Sequence, residues 1–83
     1  MRSPNFEPRK GCSAPDLVVL HYTGMRDGAA ALARLCDAQA KVSAHYLIEE
    51  DGAVFSLVDE AMRAWHAGKS FWRGLLDINS HSI

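Results

Sequence analysis

Four histidines are the side chains of this sequence that can take part in the most kinds of chemistry near neutral pH: His21, His45, His66 and His81. No two of them lie four residues apart, so the sequence carries no helical pair of zinc-binding histidines. His21 ends an apolar run and precedes a glycine turn, and α/β sheets bind their ligands at the carboxyl ends of strands. The position of His21 therefore indicates a ligand or a catalytic group.

The other three histidines have structural interpretations beside the functional ones. His45 falls within a predicted hairpin, where a hydrogen-bonded core histidine is the favoured interpretation. His66 follows Trp65 and either lines a groove or packs, and His81 is solvent-facing or structural. Taken one at a time, these three residues do not define a site.

Motifs for other kinds of chemistry are missing from the sequence. It contains no phosphate-binding glycine loop, no dinucleotide-binding glycine motif and no serine nucleophile elbow. The acidic run at residues 49–51 is explained by a solvated turn. Trp65, Phe71 and Trp72 lie in one glycine-containing segment, which suits either stacking on sugar rings or a lid over a small core.

The composition is that of a small folded protein. The 83 residues include nine Lys and Arg against ten Asp and Glu, a formal net charge of −1, so no basic surface favours nucleic acid. Hydrophobic residues make up 48% and charged residues 23%, which excludes a disordered chain. No apolar run predicts a transmembrane segment or a signal peptide, which leaves a cytoplasmic or a periplasmic location open. A chain this short builds a marginal core.

The elements that must position the histidines begin after an extended lead-in segment, residues 1–15, which holds all three prolines. The apolar run at residues 16–22 predicts a central strand covered on both faces. Asp27 can cap a helix over residues 28–40. The buried stripe of that helix is predicted to contain Leu32, Leu35 and Cys36.

A hairpin is the clearest local signal. Residues 44–50 and 53–58 flank Asp51-Gly52, which predicts a two-residue type I′ turn. That register places two pairs on the core face, Tyr46 with Leu57 and Ile48 with Phe55, and two on the other face, His45 with Val58 and Leu47 with Ser56. Residues 59–63 are predicted to form one helical turn, and residues 79–83 to enter another strand.

The two cysteines, Cys12 and Cys36, are too few for a disulfide framework. A bridge between them would stabilise the chain by about 3 kcal/mol. A surface thiol at Cys12 and a buried helix thiol at Cys36 is the favoured interpretation.

Four motifs in order carry a resemblance to a known family: VVLHYTGM at residues 18–25, KVSAHYLI at 41–48 followed by Asp51-Gly52, RAWHAG at 63–68, and NSHSI at 79–83. With the Ser3-Pro4-Asn5 lead-in, they resemble the N-terminal half of the zinc-dependent N-acetylmuramoyl-L-alanine amidases of the peptidoglycan recognition protein superfamily. The resemblance implies a mixed central β-sheet flanked by helices. Residues 16–83 would then be the N-terminal part of a single amidase domain, truncated at the C-terminus.

The resemblance also implies the chemistry. In this family two His and one Asp or Cys hold a zinc ion, and His21 matches the first of these ligands. The remaining ligands and the acidic general base are expected after Ile83. Three protein ligands leave a fourth position for a water whose pKa zinc lowers to about 7. The expected reaction is cleavage of the bond between N-acetylmuramic acid and L-alanine in peptidoglycan or muropeptides.

Further site residues follow from the same resemblance. His45 matches a histidine that supports the metal site without binding the ion, and Trp65, His66, Ala67 and Gly68 match a segment that lines the muropeptide groove. Where the phage-lysozyme branch has an assisting tyrosine, this chain has Ala44. The full enzyme is expected to be a monomer, and the 83-residue chain alone to bind zinc weakly and to be inactive.

Two other functions stay open. The first is a non-catalytic peptidoglycan-binding module, since some members of the superfamily bind peptidoglycan without cleaving it. The second is a small interaction protein that pairs through an open strand edge near Ile83.

Overall fold

The computed structural model describes residues 2–11, 14–22, 27–67 and 78–83. The described elements are β1 (Phe6–Pro8), α1 (Gly28–Leu35), β2 (Tyr46–Ile48), β3 (Val54–Ser56), β4 (Met62–Ala64) and α2 (Ile78–His81). β1 pairs with β4 and β2 pairs with β3, both antiparallel, and Leu17 makes a parallel bridge to Ser82. Within the described ranges, neither helix has the length and apolar character needed to cross a membrane.

The described part of the lead-in segment contains strand β1 and packs into the fold. Ser3 and Asn5 are buried, and the Asn5 amide donates to the carbonyls of Asp37 (2.9 Å) and Val42 (2.8 Å). In the β1–β4 pair, Glu7 lies opposite Arg63, and their side chains form an ion pair at 2.6 Å.

The prediction of a helical turn at residues 59–63 is wrong except for a tight turn at its start. Met62 N donates to Asp59 O to close a tight turn, and the chain then enters β4.

Helix α1 starts where the sequence predicts and ends earlier. The Asp27 carboxylate accepts from Ala30 N at 2.8 Å and caps the first turn. The helix ends at Leu35 rather than at residue 40 because the Asp37 carboxylate accepts from Gln39 N at 2.9 Å, a local bond that competes with helical pairing. Leu32, Leu35 and Cys36 pack against the core as predicted, but they are only partly buried, and the buried residue of the helix is Ala31. Cys36 is a free thiol, and Cys12 lies outside the described residues.

The hairpin forms, but the predicted register is wrong by one residue. Tyr46 pairs with Ser56 and Ile48 with Val54, because the loop has three residues, 50–52, closed by Glu49 N donating to Ala53 O at 2.8 Å. Gly52 has a φ of +93°, as three-residue loops with one left-handed residue require. A shift by one residue moves side chains to the opposite face. Tyr46 and Ile48 are therefore exposed, whereas Leu47 is buried.

The apolar run at residues 16–22 does not form the fully covered strand that the sequence predicts. Leu17 N donates to His81 O, Ile83 N to Leu17 O and Val19 N to Ile83 O, so a short parallel ladder joins the two segments. The alternate side chains Val18, Leu20 and Tyr22 are 71%, 87% and 92% exposed. An apolar run indicates a strand that can be buried, but the element that covers this strand depends on the rest of the fold.

The segment predicted as a strand at residues 79–83 is helical at first. Residues 79–81 belong to α2, and the parallel pairing starts only at Ser82.

The core among the described residues contains Ala31, Leu47, Leu57, Val58 and Ala64. Three of the four histidines, His21, His45 and His66, lie near one another, where the parallel ladder meets the segment after β4.

Candidate functional site

His21 and His66 form a hydrogen-bonded pair. His21 is exposed, at the end of the segment that pairs with residues 81–83, and its Nε2 lies 3.0 Å from His66 Nδ1. The ring centroids are 5.2 Å apart in an edge-to-face arrangement. The segment after β4 therefore brings a second imidazole to the predicted ligand.

The second ring nitrogen of His66 is also engaged. His66 Nε2 lies 2.9 Å from Ser82 Oγ, and that hydroxyl donates to Ile78 O at 2.7 Å. Burial, together with the neighbouring His21, His45, Arg9 and Arg63, lowers the pKa of His66 to about 4. His66 is therefore neutral at physiological pH, with one ring proton to place.

His45 lies behind this pair and is only 2% exposed. Its Nε2 lies 2.8 Å from Met62 O and 3.2 Å from an Arg9 nitrogen, and its ring centroid is 6.3 Å from that of His66. Burial, together with the Arg9 charge, lowers the pKa of His45, while the bond to Met62 O opposes that shift. Among the described residues, His45 Nδ1 has no hydrogen-bond partner.

Arg9 connects the lead-in segment to α2. Its Nη1 donates to the carbonyls of Ser80 and Ser82 at 3.0 Å and of Asn79 at 3.3 Å, and Nε and Nη2 both donate to Glu60 O. The last carbonyls of a helix have no partner within the helix, and a cation at that end is favourable. Arg9 therefore holds the segment that carries Ser82.

Two buried polar side chains fix the backbone of the predicted groove segment. Ser43 Oγ accepts from Trp65 N at 2.9 Å, and Ser43 N donates to Trp65 O at 2.9 Å. The Asn79 amide oxygen accepts from His66 N (3.1 Å) and Ala67 N (2.8 Å), and its nitrogen donates to Ala67 O (2.8 Å). Trp65, His66 and Ala67 are half-buried; Gly68 lies outside the described residues.

The described residues fit one ligand of a zinc site rather than a complete site. No group of three or more His, Cys, Asp and Glu able to hold a metal ion occurs in the part of the chain that the structure describes. His21 has the features of a single ligand, because it is exposed and its Nε2 bonds to another residue, as the second nitrogen of a metal-bound histidine generally does.

Comparison with known proteins decides the family. The model of the N-acetylmuramoyl-L-alanine amidase family matches residues 11–83. The chain belongs to this amidase family. The amidase AmiD of Escherichia coli is 40% identical over 74 residues, covering 81% of this chain and 26% of AmiD. The 1,6-anhydro-N-acetylmuramyl-L-alanine amidase AmpD of Escherichia coli is 33% identical over 98 residues, covering 98% of this chain and 54% of AmpD.

The amidase fold is confirmed by a solved structure. The crystal structure of a selenomethionine AmpD derivative matches this chain with a TM-score of 0.86 and 32% identity, covering 100% of this chain and 56% of that one. This likeness confirms both the resemblance and the predicted α/β class as part of an amidase fold. The chain spans about half the length of the AmpD relatives and about a quarter of AmiD.

Sequence reasoning missed the residues that organise this site. Arg9, Ser43, Asn79 and Ser82 act through backbone or histidine contacts that no local spacing reveals. Asn79 and Ser82 do lie in the NSHSI motif and Ser43 lies in the KVSAHYLI motif, so a signal for these three was present. The roles of His21 in metal binding, of His45 in support and of Trp65 to Gly68 in substrate contact stay predictions.

Proposed function

We propose that this protein provides the N-terminal part of a zinc-dependent amidase that cleaves the amide bond between N-acetylmuramic acid and L-alanine. The substrate would be peptidoglycan or its muropeptide fragments. The proposal is carried by one observation: an exposed histidine, His21, which follows the segment paired with residues 81–83 and is bonded through its Nε2 to His66, in a chain of this amidase family. The relatives AmiD and AmpD are named as amidases of muramoyl-alanine bonds.

In this proposal His21 supplies one zinc ligand. Zinc bound at such a site supplies a Lewis acid and a water of pKa about 7. His45 supports the site from its buried position behind His66, next to Arg9 and Met62 O. The acidic base and the other ligands are assigned to sequence after Ile83, as the resemblance implies.

We assign substrate contact to Trp65, His66, Ala67 and Gly68. Ser43 and Asn79 fix the backbone of the first three, so a ligand would meet a segment already ordered. Preordering lowers the entropy cost of binding. Because both ring nitrogens of His66 bond to protein groups, the Trp65 ring and the backbone are left as the main contact groups.

The 83-residue chain alone is expected to bind zinc weakly and to leave muropeptides uncleaved, since one imidazole supplies little of the binding free energy of a complete site. Zinc titration by calorimetry and mass spectrometry of a purified muropeptide test both statements. Stoichiometric zinc and released L-alanine-linked peptide from this chain would contradict them. Gene sequence after the Ile83 codon that encodes an acidic residue and then a His and an Asp would support the amidase. A stop codon there would contradict it.

The second candidate is a peptidoglycan-binding module without catalysis. It is supported by the ordered backbone of Trp65, His66 and Ala67, which could hold a ligand without any reaction. Because the 83-residue chain is expected to leave muropeptides uncleaved in either case, the test uses the product of the whole gene: co-sedimentation with insoluble peptidoglycan, lost in Trp65→Ala and without peptide release when zinc is supplied, would support the binding module over the amidase. Replacing the exposed Val54 by Ala is the matched control, because Val54 lies on the hairpin.

A further inference from the structure

We propose that His66 and Ser82 hold the His21 ring in the tautomer protonated at Nε2, which leaves the lone pair on Nδ1 to bind a metal ion. His66 and Ser82 are then positioning residues that act through His21. The use of that lone pair for zinc rests on the proposed function, but the tautomer itself does not.

The direction of the hydrogen bonds is set at Ser82. Its hydroxyl lies 2.7 Å from Ile78 O, and a carbonyl oxygen only accepts, so the hydroxyl proton lies between them. Ser82 is fully buried. The lone pairs of Ser82 Oγ are therefore left to accept a bond from His66 Nε2, 2.9 Å away.

The same direction continues through His66. A neutral imidazole carries one proton, and here that proton lies on Nε2 because Ser82 Oγ accepts it. Nδ1 of His66 is then an acceptor. At pH 8, above the ordinary imidazole pKa of about 6.5, this neutral form is the one to consider.

His21 comes last in the series. Its Nε2 lies 3.0 Å from the acceptor Nδ1 of His66, so His21 must donate from Nε2. Its own Nδ1 is therefore unprotonated. Among the described residues, the His21 ring forms a hydrogen bond to His66 alone, so no group in that part of the chain takes the Nδ1 lone pair.

The experiment measures ring tautomers by NMR in the metal-free, ¹⁵N-labelled 83-residue chain at pH 8. Long-range ¹H–¹⁵N spectra distinguish protonated from unprotonated ring nitrogens. We expect His21 and His66 both to be protonated at Nε2. A His21 ring protonated mainly at Nδ1 would overturn the proposal without any variant.

Two variants of the positioning residues test the cause. Ser82→Ala removes the acceptor for His66 Nε2, which frees His66 to donate from Nδ1, so the His21 spectrum should shift to a mixture of tautomers. His66→Asn places an amide oxygen near the former Nδ1 and should retain the Nε2–H form of His21, whereas His66→Ala should give the mixture.

The matched control is Ser80→Ala. Ser80 is also fully buried in α2, but its hydroxyl accepts from Lys10 N and Arg63 Nε rather than from a histidine. Equal His21 spectra for Ser80→Ala and Ser82→Ala would overturn the proposal. If the hairpin amide signals show that Ser82→Ala is unfolded, the His66→Asn and His66→Ala pair decides. Because neither zinc nor substrate is present, failure here and failure of the amidase activity are separate results.

Discussion

Arg9→Met is expected to destabilise the protein by about 3 kcal/mol. Arg9 Nη1 serves three carbonyls of the α2 segment, those of Asn79, Ser80 and Ser82. Its two hydrogens amount to about two hydrogen bonds from a charged donor, each contributing about 1.5–3 kcal/mol. The bonds to Glu60 O are exposed and add little. Because Arg9 is half-exposed, solvent screening lowers the summed contribution of these two hydrogen bonds to about 3 kcal/mol.

Urea unfolding followed by circular dichroism measures this loss. A chain of this size has an m-value of about 1 kcal/mol/M, so the midpoint should fall by about 3 M. Arg9→Lys retains the charge but cannot serve the carbonyls of α2 and Glu60 together, so we expect it to recover about 1 kcal/mol.

Arg2→Met is the control for Arg9→Met. Arg2 also lies in the lead-in and pairs with Asp59, but the two side chains are 54% and 72% exposed, so the pair contributes at most about 1 kcal/mol. If Arg9→Met and Arg2→Met lose the same stability, Arg9 does not hold α2 as its contacts indicate, and the reasoning is refuted.

Three other outcomes follow from the structure. Leu47→Ala should lower the free energy of unfolding in urea by about 2–5 kcal/mol, because Leu47 is only 7% exposed. Ile48→Ala should lower it by about 0.5 kcal/mol, because Ile48 is 64% exposed. A larger loss for Ile48→Ala than for Leu47→Ala would support the register predicted from the sequence. Gly52→Ala should cost about 1 kcal/mol in urea unfolding, since its φ of +93° suits glycine, and an unchanged midpoint would contradict the left-handed conformation of Gly52. Burial lowers the pKa of His45 and His66 in the folded state, so as the pH falls the unfolded chain binds protons before the folded chain does. The free energy of unfolding should therefore be constant above about pH 6.5 and fall below it. His45→Gln should make the decrease in urea midpoint between pH 7.5 and 5.5 smaller.

The sequence predicted the elements whose causes are local. Asp27 caps α1 because its carboxylate reaches an amide three residues ahead, and such a bond can be predicted from residue type alone. The hairpin was also predicted, but not its register. Asp51-Gly52 suits both a two-residue and a three-residue loop, and the choice depends on which face of β2 meets α1 and the core. Leu47 packs there, so the core selects the longer loop.

Family motifs marked single candidate residues of the site, whereas the contacts between residues that act together were missed. His21 could be identified as a candidate because it follows an apolar run and precedes a glycine turn. The hydrogen bond between His21 and His66 could not be predicted, because the two residues meet only when β4 and the parallel ladder have both formed. Arg9 gave no signal, since its partners are backbone carbonyls, which any residue type supplies.

The site segments are held together mainly by polar contacts. Among the described residues, seven buried residues are polar and six are hydrophobic, and Ser43, Asn79 and Ser82 belong to the polar group. Apolar packing tolerates changes of shape at fixed volume, whereas a hydrogen bond requires a partner at one distance and one angle. The polar contacts therefore specify where the His21 and His66 rings lie, while the small core around Leu57 mainly supplies stability. It follows that substitutions at Asn79 or Ser82 can disturb the ring geometry by more than their effect on unfolding would indicate.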